Sequence, residues 1–386
     1  MSGGICIVGV GNGGCKIVDR LGGTAATGPS LAVINTDARS LAASRATTKI
    51  QIGANRTDGL GTGGDADIGK RSAEEEGSVI GSLFSDADLA VIVVCLGGGT
   101  GSGAAPVVAK AARDSGAITL CFALLPFKFE SRDQREQADH ALAHLRGLAH
   151  VLIVVPNDRL SDLVGDRSVA ETFDRVNDVL AASIGGIYKL IAQPGYLALD
   201  LANLEKAVED TGGVGTLGYG EGTGPDRVRR TVESLLAGPM VEGGRVVSDA
   251  HSLLVSITGG PDLSIKDVGE IMKAIEGKAR ADCHIAMGTA IDETLRERVS
   301  VVLVASEEPV GPSGESEPPP AVPPEPSHAG EPAGRGKKKG KSRPEQGQLG
   351  LGPADKGRFK GVDPTIMDGE DLDIPTYLRR RLNVER

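Results

Sequence analysis

The chain has 386 residues, 40% of them hydrophobic, enough for two domains with real cores and a tail. Its formal charge of -10 excludes nucleic-acid binding through a global basic field, and with aromatics at 3% and no Trp the cores must be Val, Ile, Leu and Ala. Cys6, Cys15, Cys95, Cys121 and Cys283 lack paired spacing and point to buried free thiols, the histidines lack metal-ligand spacing, and no basic leader or membrane-length apolar run occurs. A soluble cytoplasmic protein without a metal site of its own is expected.

Gly4-Ile-Cys-Ile-Val8 reads as a short buried strand, followed by Gly9-Val-Gly-Asn-Gly-Gly14 and a helical pattern over 15–21. Gly-x-Gly-x-x-Gly between strand and helix is the dinucleotide fingerprint, and Leu31-Ala-Val-Ile-Asn-Thr-Asp37 supplies an acid after the second strand. That motif alone allows an NAD-dependent oxidoreductase. Gln51-Ile-Gly and Gly59-Leu-Gly-Thr-Gly-Gly64 follow, and a helix starts at Ile68. The apolar run 87–96 then reads as a buried strand leading into Gly97-Gly-Gly-Thr-Gly-Ser-Gly103 and a helix-forming run with Pro106 in its first turn. Strand, side-chain-poor loop and helix N-terminus make an anion cradle, because backbone N–H groups and the helix dipole both face the ligand. Thr100 and Ser102 add hydroxyl donors. No Gly-Lys-Ser/Thr ending is present, so this is not a P-loop. A nucleotide wrapped by several strand-to-helix loops of one parallel sheet accounts for both glycine loops, which a single dinucleotide motif does not.

Gly97 to Gly103 resembles, residue for residue, the signature of the tubulin family and its bacterial branch FtsZ. The resemblance runs from about Ile5 to Ala305 and resumes in the last peptide. It implies a Rossmann-like parallel-sheet α/β GTP-binding domain (1–168), a central helix and synergy loop (169–212), a smaller α+β domain (213–306), a disordered linker (307–360) and a C-terminal recognition peptide (361–386). It further implies GTP/GDP with Mg2+, GTPase activity, head-to-tail self-assembly into filaments, and a division-ring role at mid-cell. A paralogue that polymerises but hydrolyses poorly and does not organise division is the alternative.

Carried over residue by residue, the resemblance implies phosphate contacts from Gly11, Asn12, Gly13, Gly14, Cys15 and Lys16, where Asn12, Cys15 and Lys16 replace the usual glycines and asparagine. The second loop brings Asn35 and Asp37, and the signature loop Gly98, Gly99, Thr100, Gly101, Ser102 and Gly103. After the strand 117–125, Pro126-Phe-Lys-Phe-Glu130 supplies Glu130 for the ribose, with Gln134 where an arginine is usual. The strand 151–155 ends at Pro156-Asn-Asp-Arg159. A long helix from Val169 to about Ile191, apolar on more than one face, carries Phe173 and Asp178 for stacking on and hydrogen-bonding guanine.

In the loop past Gly195, Asp200 keeps the family's catalytic carboxylate, while Ala198 and Asn203 replace its usual partners, so slow hydrolysis completed by the neighbouring subunit is expected. Strands over 253–258, 282–288 and 298–305 and a capped helix over 264–279 build the second domain. From Ser306 the composition turns to Pro, Glu, Gly, Ser and Lys, which cannot bury enough apolar surface to order itself. As a flexible coil of about 50 residues it reaches roughly 40 Å. The final peptide, with Asp373, Ile374, Pro375, Tyr377, Leu378 and Arg379, resembles the family's docking tag for membrane-anchor or division proteins, with no direct membrane insertion and no nucleic-acid partner.

Overall fold

The computed structural model describes residues 4–21, 29–164, 167–192, 214–306, 366–367 and 370–371. The chain forms two compact units, Met1–Ser316 and Glu317–Arg386. In the second, the described residues are two short strands, Ile366–Met367 and Glu370–Asp371, paired antiparallel. The linker and docking-tag readings otherwise lie outside the described residues, as do Ala198, Asp200 and Asn203. No helix among the described residues is long and apolar enough to cross a membrane.

Among the described residues the first unit has ten strands: β1 (Gly4–Val10), β2 (Ser30–Asn35), β3 (Thr48–Gln51), β4 (Ala87–Cys95), β5 (Ile118–Leu125), β6 (Val151–Pro156), β7 (Val214–Thr223), β8 (Ser252–Gly259), β9 (His284–Ile291) and β10 (Arg298–Ser306). They form one sheet in the order β3-β2-β1-β4-β5-β6-β7-β10-β8-β9. From β3 to β7 every pairing is parallel, and β10 then runs antiparallel to both β7 and β8. The near-continuous apolar runs of β1, β4 and β5 follow from burial on both faces. Ile7, Val91, Val93 and Phe122 point to one face, and Val8, Ile92, Val94 and Cys121 to the other.

The first face is covered by α1 (Gly11–Leu21) and α9 (Val169–Ala192), whose Val176, Leu180, Ile184, Ile187 and Leu190 are buried there. The opposite face carries α4 (Ala66–Glu75), α5 (Gly77–Ser82), α6 (Gly99–Asp114) and α7 (Arg132–Arg146). The long helix expected at 169–191 is therefore present. It also reaches the antiparallel half, where Ser256 Oγ donates to the Gly186 carbonyl at 3.0 Å and Lys189 pairs with Asp292. That half has its own core around Val255, Val301 and Leu303, covered by α10 (Arg227–Leu236), α11 (Arg245–Asp249) and α12 (Ile265–Glu276). Ser264 caps α12 in a reciprocal capping box with Asp267.

Both glycine-rich stretches are helical where the sequence reads as loop: α1 starts at Gly11 and α6 at Gly99. The main chain of α6 lies against that of α4. A Cβ on Gly103 would come within 2.0 Å of the Ala66 carbonyl oxygen and 2.6 Å of the Lys70 nitrogen. Neither backbone atom can turn aside, so Gly103→Ala is expected to destabilise the chain by about 1–3 kcal/mol through overpacking. The shift in the urea midpoint of the full-length protein measures this, and an unchanged midpoint would contradict the close contact.

Candidate functional site

The carboxyl ends of the parallel strands meet the N-termini of α1 and α6 at one cleft of about 690 Å³. Open parallel sheets place ligands there, where helix dipoles and free N–H groups converge. Gly11 has φ +72°, a region that favours glycine, and a Cβ there would lie 3.1 Å from the Gly101 nitrogen. The two glycine-led helix starts thus sit back to back. Asn35, buried at the end of β2, donates through Nδ2 to Asn12 Oδ1 at 2.7 Å and accepts the Asp37 N–H through Oδ1 at 3.2 Å. Thr36 and Thr100 share a buried hydroxyl–hydroxyl bond of 2.7 Å, tying the second loop to the signature loop.

Of the residues expected from sequence, the structure brings Gly11, Asn12, Gly13, Lys16, Asn35, Asp37, Gly98, Gly99, Thr100, Gly101, Glu130, Gln134 and Phe173 to the cleft wall. Asp37 also caps α2 (Ala38–Ala43), accepting from Arg39 N and Ser40 N. Glu130 Oε1 accepts the Phe127 N–H at 2.8 Å, which holds the turn after β5. Gln134 Oε1 accepts from both the N–H and hydroxyl of Ser131 in a capping box, leaving its NH2 as the group it can offer a ligand.

Five expected contacts are not on this wall. Gly14 and Cys15 face inward: a Cβ on Gly14 would meet the Val93 carbonyl at 2.3 Å, and the Cys15 thiol is buried near the Gly9 and Ile34 carbonyls. Burial, with Asp19 adding to it, pushes that thiol up to about 12, so it is neutral and inert. Ser102 turns back into its own loop, its Oγ accepting the Gly97 N–H at 2.9 Å, and Gly103 is spent on the α4 contact. Ser102 and Gly103 line a different groove, between α4, α6 and α7.

Asp178 is the fifth and the most consequential correction. Residues advance about 100° each around a helix, so Phe173 and position 177 lie within about 40° of each other, whereas 178 is about 140° away. Accordingly Asn177, not Asp178, lines the cleft beside Phe173. Asp178 pairs with Arg20 of α1, as does Asp174.

Other residues also line the cleft, among them part of the 59–64 stretch, which resembles the family's third nucleotide loop near the terminal phosphate. Gly61, Thr62, Gly63 and Gly64 form the wall beside the signature loop, and Asn157 begins α8 (Asn157–Val164) at its edge. Phe127 stacks on Phe129 at 4.8 Å and meets Phe173 edge-on at 5.6 Å, giving the cleft an aromatic wall. The i, i+4 relation to Phe173 was the available signal for Asn177. The mouth is ringed by large apolar side chains left in solvent: Leu60 is 70% exposed, Val169 75% and Phe129 82%. Among the described residues, four of the six exposed large hydrophobic side chains, counting Phe173, line this one cleft.

Residues 4–165 match the model of the Tubulin/FtsZ family, GTPase domain, and residues 213–307 that of the FtsZ family, C-terminal domain. The chain is 37% identical over 302 residues to cell division protein FtsZ 1 of Halobacterium salinarum, covering 78% of this chain and 76% of the relative. It is 36% identical over 302 residues to cell division protein FtsZ 1 of Archaeoglobus fulgidus, covering 78% and 81%. An empty FtsZ dimer from M. jannaschii superposes with a TM-score of 0.74 at 31% identity, covering 79% of this chain and 88% of that one. The GTPγS-bound protofilament of CetZ2 from Haloferax volcanii superposes with a TM-score of 0.63 at 22% identity over 79% and 93%, a likeness of fold.

Proposed function

Because the chain belongs to the tubulin/FtsZ family of GTPases, we propose that the cleft binds GTP and GDP and that the protein assembles head to tail, each subunit closing the nucleotide cleft of the next. The family assignment replaces the NAD-dependent reading. One observation carries the proposal: a cleft built on two glycine-led helix starts is ringed by Leu60, Phe129, Val169 and Phe173 in solvent. A rim of this kind around a polar pocket marks a surface that a second protein covers. A heterologous contact of that sort does not close and yields filaments.

Within the cleft, the starts of α1 and α6 receive the phosphates, Glu130 the ribose, and Phe173 with Asn177 the base. Mg2+ usually keeps several waters and rides on substrate phosphates. Among the described residues no group of three or more His, Cys, Asp or Glu could hold a metal ion. On this reading a Mg2+ enters with the nucleotide, and the chain's part is to hold the phosphates. A role in the division ring follows from the same family assignment, with the C-terminal peptide docking to membrane-anchor or division proteins through its long tether. The paralogue reading is favoured by one observation, the replacement of two catalytic-loop residues by Ala198 and Asn203.

The test is sedimentation and phosphate release with GTP, GDP and ATP on the full chain and on a variant lacking 371–386. GTP-dependent pelleting by both proteins is expected, with recruitment to membrane anchors lost only in the truncated one. Pelleting that ignores the nucleotide, or that disappears with the tail, would contradict the reading.

A further inference from the structure

The charge balance of the cleft, among the described residues, rests on one side chain. Among the described residues lining it, Lys16 is the sole lysine or arginine, set against two carboxylates, Asp37 and Glu130. Both carboxylates are already engaged by backbone N–H groups. Lys16 is exposed on the second turn of α1 and makes no hydrogen bond or ion pair with any described residue. Its neighbourhood is nonetheless defined. The Cys95 thiol on the cleft wall is pushed up to about 12 by burial and then by Glu130, with Lys16 opposing. Lys16 and Glu130 therefore act on one patch of the wall from opposite signs. Without Lys16 the described lining side chains carry two negative charges and no positive one, which disfavours a ligand bearing several more.

We propose that Lys16 is the phosphate-charge sensor of this site: its ammonium, the one side-chain cation among the described residues lining the cleft, faces the nucleotide's phosphate chain and so sets how strongly affinity depends on phosphate number. This rests on the guanine-nucleotide reading of the cleft. The α1 and α6 N-termini orient the phosphates through neutral N–H groups and helix dipoles whose effect fades within a turn. A full unit charge within the cleft adds a stronger, salt-sensitive attraction. Gln134, on the same cleft, offers only a neutral NH2. An arginine introduced there would return a cation to the site from another wall.

The experiment measures GDP, GMP and guanosine affinity on the full-length protein at low and high salt. The variants are Lys16→Asn, Lys16→Arg, and Lys16→Asn combined with Gln134→Arg. Lys16→Asn is expected to weaken GDP by about ten- to a hundredfold, the scale of a charge-assisted bond. It should leave guanosine within about twofold and flatten the salt dependence. Lys16→Arg should stay near the parent, and the double variant should regain at least about fivefold for GDP. GDP binding unchanged by Lys16→Asn would overturn the inference, as would an equal loss for guanosine, which would mark a folding role. If the parent protein binds no guanine nucleotide at all, the reading of the cleft fails first and this inference falls with it.

Discussion

Asn177→Ala is expected to weaken GTP binding by about 1–3 kcal/mol, or roughly five- to a hundredfold, whereas Asp178→Ala leaves it within about twofold. Phe173 and Asn177 line the cleft together, and Asp178 is turned toward Arg20. The Arg20–Asp178 pair is about half exposed, so its loss should cost no more than about 1 kcal/mol of stability. An amide offers both an acceptor and a donor, and by turning over it can pair with the edge of either purine. A carboxylate accepts only, which suits guanine's N1–H and amino group and not adenine. Asn177→Asp should therefore widen the preference for GTP over ATP. Competition binding with both nucleotides decides it: a loss of selectivity in Asp178→Ala with none in Asn177→Ala would reverse the assignment.

The second large effect concerns hydrolysis. Phosphoryl transfer passes through a loose transition state, so a protein chiefly positions the attacking water and stabilises charge. Asn203 can hydrogen-bond a water, but it cannot accept its proton, and Ala198 offers nothing. Asp200 is then the one carboxylate matching the family's set. Loss of a general base typically costs about 10²–10⁴-fold. We therefore expect slow turnover in the parent chain and a rise of about tenfold or more in Asn203→Asp, measured by phosphate release above the assembly threshold. Unchanged turnover would mean that Asp200 or another group already suffices.

Much of this architecture was legible because its signals are local. The buried parallel strands stand out as short Val, Ile and Leu runs, and the 24-residue α9 shows its apolar spacing plainly. Strand β7 was not singled out, and the reason is steric. Its Gly218, Gly220 and Gly222 read as loop, yet a Cβ at Gly220 would lie 2.5 Å from the Thr231 carbonyl and one at Gly222 2.1 Å from that of Arg227. Helix α10 rests directly on the strand, and only the third dimension reveals why side chains are missing there. The cleft followed the same division. Its glycine loops were readable as motifs, but whether Gly103 serves ligand or packing depends on what lies behind it. The one-residue displacement from Asp178 to Asn177 was a matter of helical phase, which a motif read as a string does not carry.

The bare contact between α4 and α6 bears on how the protein responds to its ligand. A Cβ on Gly99 would lie 2.3 Å from Thr62 Oγ1 and 2.5 Å from the Asp65 carbonyl, and one on Gly69 2.4 Å from the Gly99 carbonyl. The turn at 61–65 and the first turn of α6 therefore touch with little more than the Thr62 hydroxyl between their main chains. Contacts so close-packed do not deform by degrees. Whatever displaces one segment must carry the other, together with the whole of α4 behind it. If the cleft holds a nucleotide as proposed, a ligand that shifts the turn at 61–65 is expected to move α4 and the start of α6 with it, in one step rather than by degrees.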